Sequence, residues 1–110
     1  MLLALGYVIY RVCGSRARNG SCTLPLEELV DVFERLRLRR YVVYTSPREL
    51  HTDLRILLHM LSRYRCTAEM RRGVIEIDSR CLTALASALA PAKGLLPKGL
   101  VERLSEIGVS

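Results

Sequence analysis

Along residues 2–13 the apolar side chains Leu2, Leu5, Val8, Ile9 and Val12 recur at helical spacing. The run Tyr7-Val8-Ile9-Tyr10 also suits a strand, so both readings stay open. The stretch GSRARNGS over 14–21 is polar and glycine-bearing, as a loop is. A second helix is expected to begin near Pro25, because proline is tolerated at the first helical position. Thr23 or Leu24 takes its cap, and Glu27 and Glu28 suit the positive end of a helix. Leu26, Leu29, Val30, Phe33 and Leu36 or Arg37 then carry its apolar face inward. Residues 38–46 (LRRYVVYTS) break that period. Their centre, Tyr41-Val42-Val43-Tyr44, predicts a short strand or an extended connection.

Ser46-Pro47-Arg48-Glu49 is the strongest local signal. Ser46 can accept from the amide three residues on, Glu49 can reach back to the Ser46 amide, and Pro47 presets the first helical φ. The helix it opens runs to about residue 64. Over 66–78, Cys66, Ala68 and Met70 alternate with Thr67 and Glu69, and Ile75 and Ile77 alternate with Glu76 and Asp78. This predicts a β-hairpin with Arg71, Arg72 and Gly73 at its tip, the glycine supplying a positive φ. An alanine-rich helix over 81–90 stops at Pro91. Pro97 opens a last one with Leu100, Val101, Leu104 and Ile107 inward, ended by Gly108. The sum is one α+β domain over 1–110, mostly helical, with terminal helices and no internal repeat.

At 110 residues the chain has the length of a single domain with its own core. Half its residues are apolar and a quarter charged, which excludes disorder and low-complexity repeats. The longest apolar run, residues 1–10, falls short of the roughly 20 residues that span a bilayer. No basic segment precedes it, so a secretory leader is not expected and the cytoplasm is the expected compartment. Arginine outnumbers lysine 15 to 2, glutamine is absent and Asn19 is the one asparagine. That composition fits a thermophilic, archaeal-type source, although a GC-rich genome alone also favours arginine. None of the four cysteines has zinc-knuckle spacing, so no metal site is expected. Buried thiols are the favoured reading; a hot environment would permit a disulfide, with Cys13 and Cys22 one candidate pair.

The informative constellation lies on the helix over 47–64. At about 100° per residue, Arg48, His51, Thr52, Arg55, His59, Ser62 and Arg63 fall within about 60° of Arg48. Leu50, Leu54, Leu57, Leu61 and Tyr64 fall opposite, toward the core. Glu49 and Asp53 lie on the flank, within reach of the arginines over 35–40. A planar guanidinium can bind guanine or phosphate with two hydrogen bonds, and a major groove accepts one helix. Arg71 and Arg72 at the hairpin tip could meet neighbouring phosphates or the minor groove. The run Arg35, Arg37, Arg39 and Arg40 adds to a net charge of +6 and tilts the reading toward nucleic acid.

This order of elements resembles the winged helix-turn-helix family. The similarity covers about residues 2–90, and SPRELHTDLRILLHMLSRYR followed by CTAEMRRGVIEID looks like a recognition helix leading into a wing. The resemblance implies a helix over 47–64 in the major groove and a wing over 66–78 on the backbone. It is carried onto Arg48, His51, Thr52, Arg55, His59, Arg71 and Arg72. It also implies a duplex-DNA-binding protein of the transcriptional-regulator kind that forms a homodimer through its terminal helices. The departure is residues 38–46, where the family has a tight turn. If residues 3–12 were a strand, the order would instead be similar to Alba-like RNA- and chromatin-binding folds. A winged-helix protein-interaction module is the reading from another class, suggested by apolar terminal helices and few base-reading amides.

Each feature also has a plainer explanation. An arginine-rich face is often a solvated, ion-paired surface. His51 and His59 are eight residues apart, too far to chelate on one helix. Tyr41, Tyr44 and Tyr64 could stack on bases, but packing is the commoner fate of a tyrosine. No glycine-rich phosphate loop, nucleophile–base pair or carboxylate pair is legible, so no enzyme activity and no cofactor are expected.

Overall fold

The structure, a computed structural model, describes residues 2–16 and 20–109. It is α+β and mostly helical, in the order α1 (Leu2–Arg16), β1 (Ser21–Pro25), α2 (Leu26–Leu38), α3 (Pro47–Ser62), β2 (Ala68–Arg71), β3 (Val74–Asp78), α4 (Ser79–Leu89), a 3-10 turn (Ala90–Leu95) and α5 (Leu100–Glu106). The three strands are antiparallel in the order β1-β3-β2.

Helix α1 is the centre of the core. Ala4, Leu5, Tyr7, Val8, Ile9, Val12 and Cys13 are all buried, because α3, α4 and β1 pack around it on several sides. A wide apolar arc of this kind is satisfied by a surrounded helix. The strand alternative for 3–12 therefore falls away, and the Alba-like order falls with it. The expected loop over 14–21 is also corrected. Its first residues complete α1, Ser21 begins a strand, and 17–19 lie outside the described residues.

Strand β1 was not legible in the sequence. Thr23 and Leu24 lie in it rather than capping α2, and Pro25 is the cap residue instead of the first helical one. Pairing of Cys22 with Ile77 and Leu24 with Ile75 puts four buried side chains on one face of the sheet. Pro25 is tolerated because β1 is an edge strand. Helix α2 buries Leu29, Val32, Phe33 and Leu36, so Val32 takes the place expected of Val30.

Residues 41–44 are not a strand; the chain from α2 to α3 has no ladder partner. Its Val43 and Tyr44 are nonetheless buried. The Tyr44 ring meets Phe33 edge-on at 5.2 Å, and its hydroxyl donates to Asp53 Oδ2 at 2.8 Å. The connection is thus a wedge that spaces α3 from α2. Burial, the hydrogen bond to Asp53 and the nearby carboxylates raise the Tyr44 phenol well above its usual range.

All four cysteines are paired. Cys13–Cys22 ties α1 to β1 with Cα atoms 5.5 Å apart, and Cys66–Cys81 ties the entry of β2 to α4 at 5.3 Å. The reading as free core thiols is corrected, since tertiary packing brings each pair within bridging reach. Helix α4 starts at Ser79, earlier than expected, because Asp78 caps it by accepting from the Cys81 amide at 2.9 Å. In α5, Leu100 and Leu104 are buried whereas Val101 is exposed. Gly108 (φ 88°) ends α5, and the Val109 and Gly108 amides donate to the Leu104 and Ser105 carbonyls at 2.9 and 3.1 Å.

Candidate nucleic-acid interface

Ser46 sits in extended backbone and its Oγ accepts from the Glu49 amide at 3.4 Å, with Pro47 at the first turn. Glu49 does not return to the Ser46 amide. Its carboxylate is taken by the Thr45 hydroxyl. Asp53 is likewise held by Tyr44, so neither acid pairs with the arginines over 35–40. From this start α3 buries Leu50, Leu54, Leu57, Leu58 and Leu61. Tyr64 lies beyond the helix end and is 61% exposed, against the expectation that it faces the core.

The opposite face presents Arg48, Thr52, Arg55, His59, Ser62 and Arg63, all exposed, with His51 half-buried at its edge. The hydroxyl protons are spent locally: Thr52 donates to the Arg48 carbonyl at 3.0 Å and Ser62 to the His59 carbonyl at 2.7 Å. Two residues not picked out from the sequence also lie here. Ile56 and Met60 are 45% and 48% exposed, an apolar pair beside the basic stripe. Their spacing of four residues, outside the leucine arc, was the signal that could have found them.

Among the described residues, Arg48, Arg55 and Arg63 form no ion pair with a carboxylate. The arginines of α2 differ. Arg35 Nε lies 2.9 Å from Asp31, and Arg37 lies 3.7 Å from Glu34. Arg39 lies 4.0 Å from Glu106 of α5, so it belongs to a contact between those helices and not to the α3 face. Between Tyr44 and the first turns of α3 is a shallow depression of about 430 Å³, lined by Arg48 and Thr52 together with Glu49 and Asp53.

The hairpin forms as expected. Arg71 pairs with Val74, leaving Arg72 (φ 51°) and Gly73 (φ 74°) as a two-residue turn with both residues left-handed. Arg71 is tied to Glu69 at 3.2 Å, while Arg72 is exposed without such a partner among the described residues. Strand β2 packs on α3, which joins the hairpin to the basic helix as one unit.

Among the described residues, the non-glycine residues with positive φ are Arg40 (61°), Arg65 (56°) and Arg72 (51°). All are arginines. At Arg40 the backbone closes α2 as glycine normally does, with the Arg40 and Tyr41 amides donating to the Arg37 and Leu36 carbonyls, each at 2.9 Å. Arg65, just past α3, was missed from the sequence because nothing in the residue type announces that backbone.

Ligand atoms of Cys66, Asp78 and Cys81 lie within 4.8 Å of one another. Both sulfurs are in the disulfide, and the carboxylate caps α4 while accepting from the Thr67 amide at 3.0 Å. Among the described residues no helix is long and apolar enough to cross a membrane. Compared with family models, curated proteins and solved structures, the chain matches none of them.

Proposed function

We propose that this chain is a winged-helix-type protein that binds duplex DNA through the exposed face of α3, with the hairpin tip as a second contact. The observation that carries the reading is the segregation of charge. Arg48, Arg55 and Arg63 have no carboxylate partner among the described residues, whereas Arg35, Arg37 and Arg39 do. A surface evolved only for ion pairing has no reason to align three uncompensated arginines along one exposed helix face, while a phosphate-binding surface does.

Two further features support it. The order helix, strand, helix, helix, hairpin, with β1 pairing along β3, suits a winged helix-turn-helix. Three arginines also keep left-handed backbone that glycine would adopt without strain, which points to a use for their side chains. The roles follow residue by residue. Arg48, Arg55 and Arg63 bind phosphate or guanine edges, His51 and His59 donate alongside them, and Thr52 offers its oxygen. Arg72 meets phosphate from the wing, with Arg71 beside it. Transcriptional regulation, a homodimer and a cytoplasmic setting accompany this reading.

A second reading, docking of a protein partner on α3, is favoured by exposed Ile56 and Met60. Fluorescence anisotropy with a random duplex of about 30 base pairs at low and moderate salt, with structured RNA as competitor, separates the two. Micromolar or tighter binding that weakens steeply with salt and resists RNA is expected. No binding at low salt overturns the DNA reading, and preferential displacement by RNA moves it to RNA.

A further inference from the structure

A second site lies away from α3, in the seam between α1 and α4. A cavity of about 250 Å³ is lined by Tyr7, Tyr10 and Arg11 of α1, by Ala86 and Leu89 of α4, and by Ala90 and Lys93 of the following turn. Its charges are unbalanced. Among the described residues two cations line it and no acid does.

Arg11 is the anomaly. Among the described residues the other half-buried arginine is Arg103, held by Glu106 at 3.0 Å. Arg11 is half-buried with no carboxylate among the described residues in ion-pair reach; its guanidinium lies 6.0 Å from the centre of the Tyr7 ring. An aromatic face offsets only part of the cost of removing a guanidinium from water, which a counter-charge normally meets. Lys93, also in the lining, has no carboxylate partner among the described residues either.

The rest of the lining defines the body of the ligand. Leu89 and Tyr7 are buried, and Ala86 and Ala90 present only methyl groups, so this part of the lining is apolar. At this volume the cavity is smaller than the roughly 300–1,000 Å³ that holds drug-sized ligands. We infer that the α1–α4 seam is a binding site for a small organic carboxylate, its charged end between Arg11 and Lys93 and its apolar body against Ala86, Leu89 and Tyr7. The inference does not depend on the DNA reading, since none of these residues lies on α3 or the hairpin.

The test is a titration of the full chain by two-dimensional NMR, with benzoate as probe, benzamide as its neutral isostere and inorganic phosphate as the anion without an apolar body. Saturable 1:1 shifts confined to α1, α4 and the 3-10 turn are expected, with a dissociation constant of about 1 mM or tighter. Benzamide and phosphate should bind at least about tenfold more weakly, a difference of about 1.4 kcal/mol. Arg11→Gln and Lys93→Gln should each weaken benzoate several-fold, and Ala86→Met should block it by filling the wall. Lys93 is exposed, so its variant keeps the fold and the test valid even if Arg11→Gln does not. Equal binding of benzamide, stronger binding of phosphate, or no saturable shift at the seam would each overturn the assignment.

Discussion

Helices α2 and α3 are built alike on one side and differently on the other. Both bury a leucine-rich arc, Leu29, Val32, Phe33 and Leu36 in α2 against Leu50, Leu54, Leu57, Leu58 and Leu61 in α3. On the outside, α2 sets Asp31 four residues before Arg35 and Glu34 three before Arg37, so both arginines pair with acids of their own helix, and Arg35 also donates to the Ile107 carbonyl at 3.0 Å. In α3 the positions three and four away from Arg55 are His51, Thr52, Leu58 and His59, none of them acidic. Its two carboxylates are instead occupied by Tyr44 and Thr45 of the incoming chain. Equal burial with unequal charge compensation separates an element that serves the fold from one that also offers a surface.

If the buried sides are equivalent, Leu36→Ala and Leu54→Ala should each cost about 2–5 kcal/mol. Thermal or denaturant unfolding measures this, and a cost under about 1 kcal/mol at either site would break the symmetry. The outer faces should then part. Arg48→Ala with Arg55→Ala should weaken duplex binding by tenfold or more, at about 1–3 kcal/mol per lost contact. Arg35→Ala with Arg37→Ala should leave affinity within about twofold and stability within about 1 kcal/mol, because exposed pairs contribute little. Equal losses of binding from the two doubles would remove the distinction.

The left-handed arginines sharpen it further. Replacing Arg40, Arg65 and Arg72 with glycine should stabilise the fold by about 1 kcal/mol per site while lowering the salt dependence of duplex binding by about 1 per lost phosphate contact. A variant that gains stability and keeps full affinity would show that these side chains do not touch nucleic acid.

The smallest effect concerns the cap beneath the hairpin. Burial pushes the Asp78 carboxyl up, but hydrogen bonds from the Cys81 and Thr67 amides and the charge of Arg80 outweigh it and hold the group below its usual value. A depressed carboxylate adds stability above the unfolded-state value near 3.9, and that contribution fades as pH falls through the lower folded value. Asp78→Ala should cost about 1 kcal/mol at neutral pH and flatten the acid limb of the stability profile. A profile unchanged below about pH 4 would exclude this linkage.

Much of this was written locally. Ser46 and Pro47 announce the start of α3, the alternation around Arg71, Arg72 and Gly73 announces the hairpin, and the leucine period announces the buried arc. The arginines of α3 could even be recognised as uncompensated by checking positions three and four away. Such signals survive in one dimension because the interactions behind them span at most four residues along a helix, or one tight turn.

What the sequence could not decide depended on partners distant in the chain. Strand β1 is five residues with a proline, too short to declare itself, and exists because β3 offers a ladder more than fifty residues later. Helix α1 could be told from a strand only by the three elements that surround it. Residues 41–44 have strand-forming side chains but pair with no strand, because Tyr44 is instead held on Phe33 and Asp53 as a wedge between α2 and α3. The disulfides follow from packing that brings Cys13 to Cys22 and Cys66 to Cys81. Local preference proposes each element; pairing, enclosure and covalent closure are set by the free energy of contacts that only the assembled chain can make.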